Sequence, residues 1–270
     1  MKKIIFLFLF LFFNLNSFAE VEKVIIAPNQ YIAAILREVF NDKVEVISLT
    51  TNGSVHNVVV NYDLVRKIDQ SMLIFYINKS FDGKLFQLIK SRNHLNKSID
   101  LSEIIDKELF IKTQYGIDYH IWLSSVIIKN LLHKLPSKFI DYKQYLNDSA
   151  RILKAINGIE KFIDIKKNKS KANIVAFHNS YNYFVKEYGV EIKKIDRSFL
   201  HLSKIGNIAN SCLIVENVDL KNINNFQKMF NDNNISVAKV DTESNNKDLS
   251  FDDLLEMYDK IDNEISSCLN

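Results

Sequence analysis

Three histidines occur in separate α/β-type contexts of this chain, and their side chains could bind a divalent metal ion. They are His56 in the segment GSVHN, His120 in DYHIWL and His178 in AFHNSYNYF. Each follows an apolar or β-rich stretch, where a loop is expected to lead from one structural unit into the next. Neutral imidazole is the commonest protein ligand for zinc, and three imidazoles with one carboxylate make a tetrahedral shell. The histidines therefore indicate a metal site built from distant parts of the chain.

Short β-rich runs alternate with helical patterns in the first half of the chain. The predicted strands span residues 24–27, 44–49 and 72–76, and each is apolar enough to be buried on both faces. The predicted helices span residues 32–40, 63–70 and 122–132, the last of them stopped by Pro136. This β-α-β-α order favours a parallel sheet with helices on both faces.

The pattern then changes to one long amphipathic run and afterwards resumes its alternation. Apolar residues recur at helical spacing over residues 139–166, which predicts a connecting helix about 42 Å long at 1.5 Å per residue. Strands are predicted at 173–177, 190–195, 212–215 and 235–240, and helices at 183–188 and 251–267, the last capped by Ser250 with Asp253. The predicted fold is α/β, with an N-terminal lobe (20–138), the connecting helix (139–167) and a C-terminal lobe (168–270).

The first nineteen residues have the pattern of a secretory signal peptide. Lys2 and Lys3 precede ten consecutive apolar residues, 4–13, and Ser17-Phe18-Ala19 places small residues where a signal peptidase cleaves, after Ala19. A membrane anchor is disfavoured because a spanning helix needs about 20 apolar residues. No cysteine precedes Cys212, so the lipid-attachment cysteine of a lipoprotein is absent. The mature protein is expected to be free in the periplasm, as a monomer.

Charge and cysteine content narrow the possible partners and covalent links. The formal net charge of +3 falls to +1 once Lys2 and Lys3 are removed, so nothing supports nucleic-acid binding. The two cysteines, Cys212 and Cys268, favour a disulfide in an oxidising compartment. The alternative, a zinc-thiolate site, has no CxxC pair or adjacent histidine to support it.

Enzymatic activity has little support in the sequence. No GxSxG, HExxH or glycine-rich phosphate loop occurs. A catalytic zinc site would need a general base beside an open coordination position, and Glu216 is the acidic residue that could serve. We therefore expect a binding protein.

The segments around the histidines resemble the zinc and manganese solute-binding proteins of ABC importers, the ZnuA-like family. Residues 176–190, AFHNSYNYFVKEYGV, are similar to the block that opens the family's second lobe, and DYHIWLSS is similar to its Asp-Pro-His-x-Trp-Leu-Ser-Pro element. GSVH lies where the family carries its first histidine. KQYLN, residues 143–147, resembles a Tyr-x-x-Asn segment early in the connecting helix. The resemblance covers nearly the whole mature chain.

This resemblance implies a ligand set of His56, His120, His178 and Asp241, the last from the final strand-to-helix loop. It also implies that the metal cleft lies between the two lobes. It implies periplasmic capture of Zn²⁺ and delivery to the membrane permease of an ABC importer. Three imidazoles suit zinc better than manganese, which prefers more oxygen ligands. The alternatives are a manganese- or iron-binding protein of the same family, and a surface adhesin or interaction protein whose metal is structural.

Overall fold

The computed structural model describes residues 23–49, 58, 60–114, 116–165, 173–177, 181–187, 192–195, 208–216, 226–240 and 248–269. The predicted signal peptide, 1–19, lies outside the described residues. So do three of the four candidate ligands, His56, His178 and Asp241.

The described residues alternate between strands and helices through both halves of the chain. The strands are β1 (Lys23–Ala27), β2 (Val44–Ser48), β3 (Leu73–Tyr76), β4 (Ser98–Asp100), β5 (Lys112–Thr113), β6 (Gly116–Ile117), β7 (Asn173–Ala176), β8 (Ile192–Lys194), β9 (Ser211–Val215) and β10 (Ser236–Lys239). The α-helices are α1 (Gln30–Val39), α2 (Tyr62–Gln70), α3 (Gly83–Ser91), α4 (Ser125–Lys138), α5 (Ser149–Ile165), α6 (Asn182–Glu187), α7 (Gln227–Asp232) and α8 (Phe251–Leu269). Short 3₁₀ segments occur at Leu95–Lys97, Leu101–Glu103, Lys107–Leu109, Ile121–Leu123 and Ile140–Tyr145.

Two parallel four-stranded sheets form the two lobes, which confirms the predicted α/β fold. The first sheet has the order β2-β1-β3-β4, and the second has the order β10-β9-β7-β8. β5 and β6 pair separately as a short antiparallel hairpin. Because the strands within each sheet are parallel, their carboxyl ends meet at one edge, where binding sites of α/β proteins are usually found.

Alternate residues of the central strands pack on opposite faces of each sheet. Ile25 and Phe75 belong to the main core, whereas Ile26 and Ile74 belong to a separate cluster with Ile68 of α2. The second sheet divides in the same way, since its inner residues join the main core while its outer residues pack around Phe230. Both faces of each sheet are therefore covered, as a parallel sheet requires.

The main core is shared by the two lobes. It contains side chains of α1, α4, α5 and α8 together with inner residues of both sheets, such as Ala27 and Ile214. α5 and α8 approach closely at Gly158, where an added Cβ would lie 3.0 Å from Cδ1 of Leu255. Within the part of the chain that the structure describes, no helix has the length and apolar character to cross a membrane.

The predicted connecting helix is shorter than residues 139–167. Phe139 ends α4, a 3₁₀ segment follows, and α5 begins only at Ser149. The interruption results from contacts with α1, because Asn147 Nδ2 lies 3.0–3.1 Å from the carbonyl oxygens of Arg37, Glu38 and Phe40. These are carbonyls that the end of a helix leaves without partners. The KQYLN segment therefore caps α1 and does not begin the connecting helix.

The helix predicted at residues 122–132 begins later and continues past Pro136. Residues Ile121–Leu123 form a 3₁₀ turn, and Ser124 caps α4 by accepting a hydrogen bond from the amide of Ile127 at 3.2 Å. Pro136 lies in the last turn of α4. A proline there removes one backbone hydrogen bond, and the burial of Leu135 and Phe139 on either side holds the turn in place.

Two predicted features of the second lobe are confirmed. Cys212 of β9 and Cys268 of α8 form a disulfide with a Cα–Cα distance of 5.6 Å. At the start of α8, the Ser250 amide donates to Asp253 Oδ2 at 2.8 Å and the Asp253 amide donates to Ser250 Oγ at 3.1 Å. This reciprocal pair is a capping box.

Candidate metal centre

His120 is held by a carboxylate two residues earlier in the chain. The His120 backbone amide donates to Asp118 Oδ1 at 3.0 Å, and the ring Nδ1 lies 2.7 Å from the same oxygen. A carboxylate oxygen accepts hydrogen bonds, so the proton of this contact lies on Nδ1, which makes Nε2 the ring nitrogen that could coordinate a metal ion. This is the carboxylate–histidine arrangement that orients metal-binding imidazoles.

Aromatic side chains surround the His120 ring. The ring centroid lies 5.7 Å from that of Phe81 and 5.3 Å from that of Trp122, both in edge-to-face geometry. Trp122 is buried and stacks on Tyr31 with centroids 5.9 Å apart. The His120 side chain is only 13% exposed. The imidazole therefore occupies a poorly solvated position in which its rotation is restricted.

The second lobe contacts Asp118 through α6. Asn182 Nδ2 donates to Asp118 Oδ2 at 2.8 Å, and the Tyr183 hydroxyl donates to the Asp118 carbonyl oxygen at 2.5 Å. The same hydroxyl accepts a hydrogen bond from the Ile111 amide at 3.2 Å. Burial raises the pKa of Tyr183, so the phenol remains protonated and able to donate.

α6 also reaches the start of α4. Glu187 Oε1 accepts a hydrogen bond from the Ser125 amide at 3.0 Å, and Oε2 accepts one from Ser125 Oγ at 2.8 Å. A negative charge at this end of α4 is favourable because a helix N-terminus presents unpaired N–H groups and a partial positive charge. The loop that carries His120 is thus bounded on both sides by contacts from the second lobe.

Glu216 lies at the carboxyl edge of the second sheet, directly after β9. Tyr181 donates a hydrogen bond to Glu216 Oε1 at 2.9 Å. The pair therefore joins the start of α6 to the end of β9. Glu216 is the acidic residue that the sequence indicated as a possible general base, and the structure gives it a hydrogen-bonded tyrosine as its neighbour.

Of the four candidate ligands, only His120 falls within the described residues. His178 and Asp241 each follow a described strand by two residues, β7 ending at Ala176 and β10 at Lys239. These strands are parallel neighbours of β9, with Ala176 opposite Ile214 and Lys239 opposite Val215. The described part of the chain contains no group of three or more histidine, cysteine, aspartate or glutamate side chains arranged to hold a metal ion.

Sequence reasoning missed the residues that support His120. Asp118 stands two positions before the histidine, a spacing that could have identified it as the acceptor for the ring. Asn182 and Glu187 had no such signal, because they lie 64 and 62 residues from their partners Asp118 and Ser125. Only the tertiary structure brings these residues together.

The sequence profile of the periplasmic component A of the zinc-uptake complex, ZnuA, matches residues 25–250. The chain belongs to this family. It is also 25% identical, over its full length and 90% of the relative, to an uncharacterised protein of Rickettsia prowazekii (strain Madrid E). ZnuA-family members are periplasmic solute-binding proteins for metals and not enzymes.

Solved structures share this two-lobed ZnuA fold. The Zn(II)-bound ZnuA-like domain of Streptococcus pneumoniae AdcA matches with a TM-score of 0.71 at 16% identity, over 92% of this chain and 99% of that one. The solute-binding protein FpvC of Pseudomonas aeruginosa, in complex with Mn²⁺, matches with a TM-score of 0.65 at 13% identity, over the same shares of the two chains. At these identities the likeness concerns the fold alone.

Proposed function

We propose that this protein captures Zn²⁺ in the periplasm and delivers it to the membrane permease of an ABC importer. The observation that carries the proposal is the Asp118–His120 pair, in which a buried carboxylate orients an imidazole in a poorly solvated position between the lobes. Family membership supports the role in transport.

The proposed ligands are His56, His120, His178 and Asp241. Two arguments support this set. The strands that precede His178 and Asp241 end at one edge of the second sheet. The His120 loop is held against α6, which begins four residues after His178. Two lobes that each contribute ligands would enclose the ion between them.

Zinc is the proposed ion because three imidazoles and one carboxylate suit its preference for nitrogen ligands in a tetrahedral shell. Manganese and iron(II) are the alternatives, and a manganese complex of a protein with the same fold makes manganese the first to test. A ligand set with more oxygen would favour manganese.

Calorimetric titration with Zn²⁺, followed by competition with Mn²⁺, tests the proposal. We expect one Zn²⁺ per chain and little displacement by excess Mn²⁺. His178→Ala and His120→Ala are each expected to abolish stoichiometric binding, whereas His133→Ala, on an exposed part of α4, is expected to bind as the wild type does. A His178→Ala variant that keeps its stoichiometry and affinity would contradict the ligand set.

Transport is tested separately by growth under metal chelation. A strain that lacks the gene should stop growing at a lower chelator concentration than its parent, and added zinc should restore it. Normal growth together with tight zinc binding in vitro would instead indicate a protein whose metal is structural.

A further inference from the structure

Three polar residues of the short helix α6 form hydrogen bonds with the first lobe, and each of them contacts the stretch from Asp118 to Ser125, which contains His120. Asn182 contacts the carboxylate of Asp118, Tyr183 contacts the carbonyl of Asp118, and Glu187 contacts Ser125. The contacts reach the segment on both sides of His120. Most of the polar side chains of α6 therefore form hydrogen bonds with the His120 segment of the opposite lobe.

The carboxylate of Asp118 accepts hydrogen bonds from both lobes. Its Oδ1 accepts from the His120 ring and its Oδ2 accepts from Asn182 at 2.8 Å. A carboxylate bound at both oxygens cannot rotate about its Cβ–Cγ bond without breaking one of the two hydrogen bonds. The Asp118 side chain is only 4% exposed, so water cannot readily replace a lost partner.

Hydrogen bonds with α6 also hold the segment on the C-terminal side of His120. Glu187 accepts from the amide and the hydroxyl of Ser125, the first residue of α4. The lobe-to-lobe contact at this end involves one charged group and a helix N-terminus, which is a favourable arrangement. Translation of the His120 loop relative to α6 would therefore break hydrogen bonds at both of its ends.

We propose that Asn182 is a positioning residue for metal binding, which sets the orientation of the His120 imidazole from the opposite lobe by holding Asp118 Oδ2. This inference rests on the proposed function, since it concerns the same site. Its consequence is that the His120 ligand is preorganised by contact between the lobes before an ion arrives. Affinity then depends on a residue that does not touch the ion.

Two substitutions of Asn182 test the proposal. Asn182→Leu keeps the branched shape but removes the N–H donor, and Asn182→Asp keeps the shape while placing a second carboxylate against Asp118. Loss of a group that supports a metal ligand typically lowers metal affinity by about 10- to 100-fold. Because Asn182 acts through Asp118, we expect a loss at the lower end of this range, about 10-fold, for Asn182→Leu and a larger one for Asn182→Asp, measured by competition with a chromophoric zinc chelator.

A spectroscopic measurement separates positioning from a purely structural role. Co²⁺ in place of zinc gives visible absorption bands that depend on the geometry of the ligands. We expect the bands of the Asn182 variants to differ from those of the wild type at full occupancy. Lys186→Ala, an exposed neighbour on the same helix, provides the matched control and is expected to keep the wild-type affinity and spectrum.

The possible outcomes distinguish the two proposals. If the wild-type protein binds neither Zn²⁺ nor Co²⁺, the proposed function is wrong. If the wild type binds and either folded Asn182 variant matches its affinity and spectrum, only the positioning role is wrong. A lower melting temperature of the apo variants with unchanged affinity and spectrum, or an equal loss in Lys186→Ala, would also overturn the positioning role.

Discussion

The Nδ1 atom of His120 lies 2.7 Å from Oδ1 of Asp118, a carboxylate two residues earlier that is buried at the contact between the lobes. The backbone amide of His120 donates to the same oxygen, so one carboxylate oxygen fixes both the ring and the main chain of the residue. Metal-binding histidines commonly have such an acceptor, which selects the tautomer and increases the basicity of the nitrogen that coordinates.

Removal of this acceptor is expected to weaken metal binding. In Asp118→Ala the His120 ring loses the partner of Nδ1 and can adopt the other tautomer, so we expect zinc affinity to fall by about 10- to 100-fold. Asp118→Asn keeps one acceptor oxygen and is expected to lose less. Competition titration with a zinc chelator measures both variants. Wild-type affinity in Asp118→Ala would show that the pair does not support a ligand.

Glu187 is expected to stabilise the contact between the lobes. Glu187→Ala removes the acceptors for the Ser125 amide and hydroxyl and leaves the start of α4 without its negative partner. Hydrogen bonds to charged groups contribute about 1.5–3 kcal/mol each. Because Glu187 is partly solvated, we expect the free energy of unfolding to fall by about 2 kcal/mol in total, measured by urea denaturation.

A second glutamate provides the control for Glu187. Glu256 lies on the exposed face of α8 and pairs with Lys260 one turn later. Exposed pairs of this kind contribute about 0–1 kcal/mol. Glu256→Ala is therefore expected to leave the unfolding midpoint nearly unchanged, and an equal effect of the two substitutions would contradict a specific role for Glu187.

The disulfide is expected to stabilise the second lobe by restricting the unfolded chain. Cys212 and Cys268 are 56 residues apart, and the chain-entropy model assigns about 4 kcal/mol to a loop of this length. We expect reduction to shift urea unfolding to lower concentration by a corresponding amount. Equal midpoints with and without reductant, once free thiols are verified, would show that the link contributes nothing.

Asp82 is expected to make stability depend on pH in the acidic range. Burial raises the pKa of its carboxyl to about 6 from 3.8, despite hydrogen bonds from the amides of Ile77 and Asn78. Between these values the folded protein binds more protons than the unfolded chain, so the free energy of unfolding falls as the pH rises from about 4 to about 6. The full difference corresponds to about 3 kcal/mol.

Comparison with Asp82→Asn isolates this contribution. The variant has no ionisable group at the site, whereas every other titratable group is common to both proteins. We expect the apo wild type to gain stability relative to Asp82→Asn as the pH is lowered from 7 to 4.5, in urea unfolding at each pH. Parallel stability curves would show that Asp82 titrates normally.

The sequence alone predicted most of the longer strands and helices in their order along the chain, because local patterns specify them. Buried strands such as β1 and β9 are uninterrupted apolar runs, and the Ser250–Asp253 capping box fixes the start of α8. With only two cysteines, the disulfide had one possible pairing. β4 was missed because Ser98–Asp100 is too short and polar to give a strand pattern. The helices α3 and α7 and the two-residue strands β5 and β6 were not predicted either.

Only the tertiary structure decided which residues support the site and where the connecting helix begins. The apolar spacing after Phe139 is compatible with a helix, yet the bonds of Asn147 to the end of α1 favour another backbone path. Asn182 and Asp118 are likewise joined by packing between lobes. Local periodicity carries no information about such partners, since the free energy that selects them comes from contacts between residues distant in the chain.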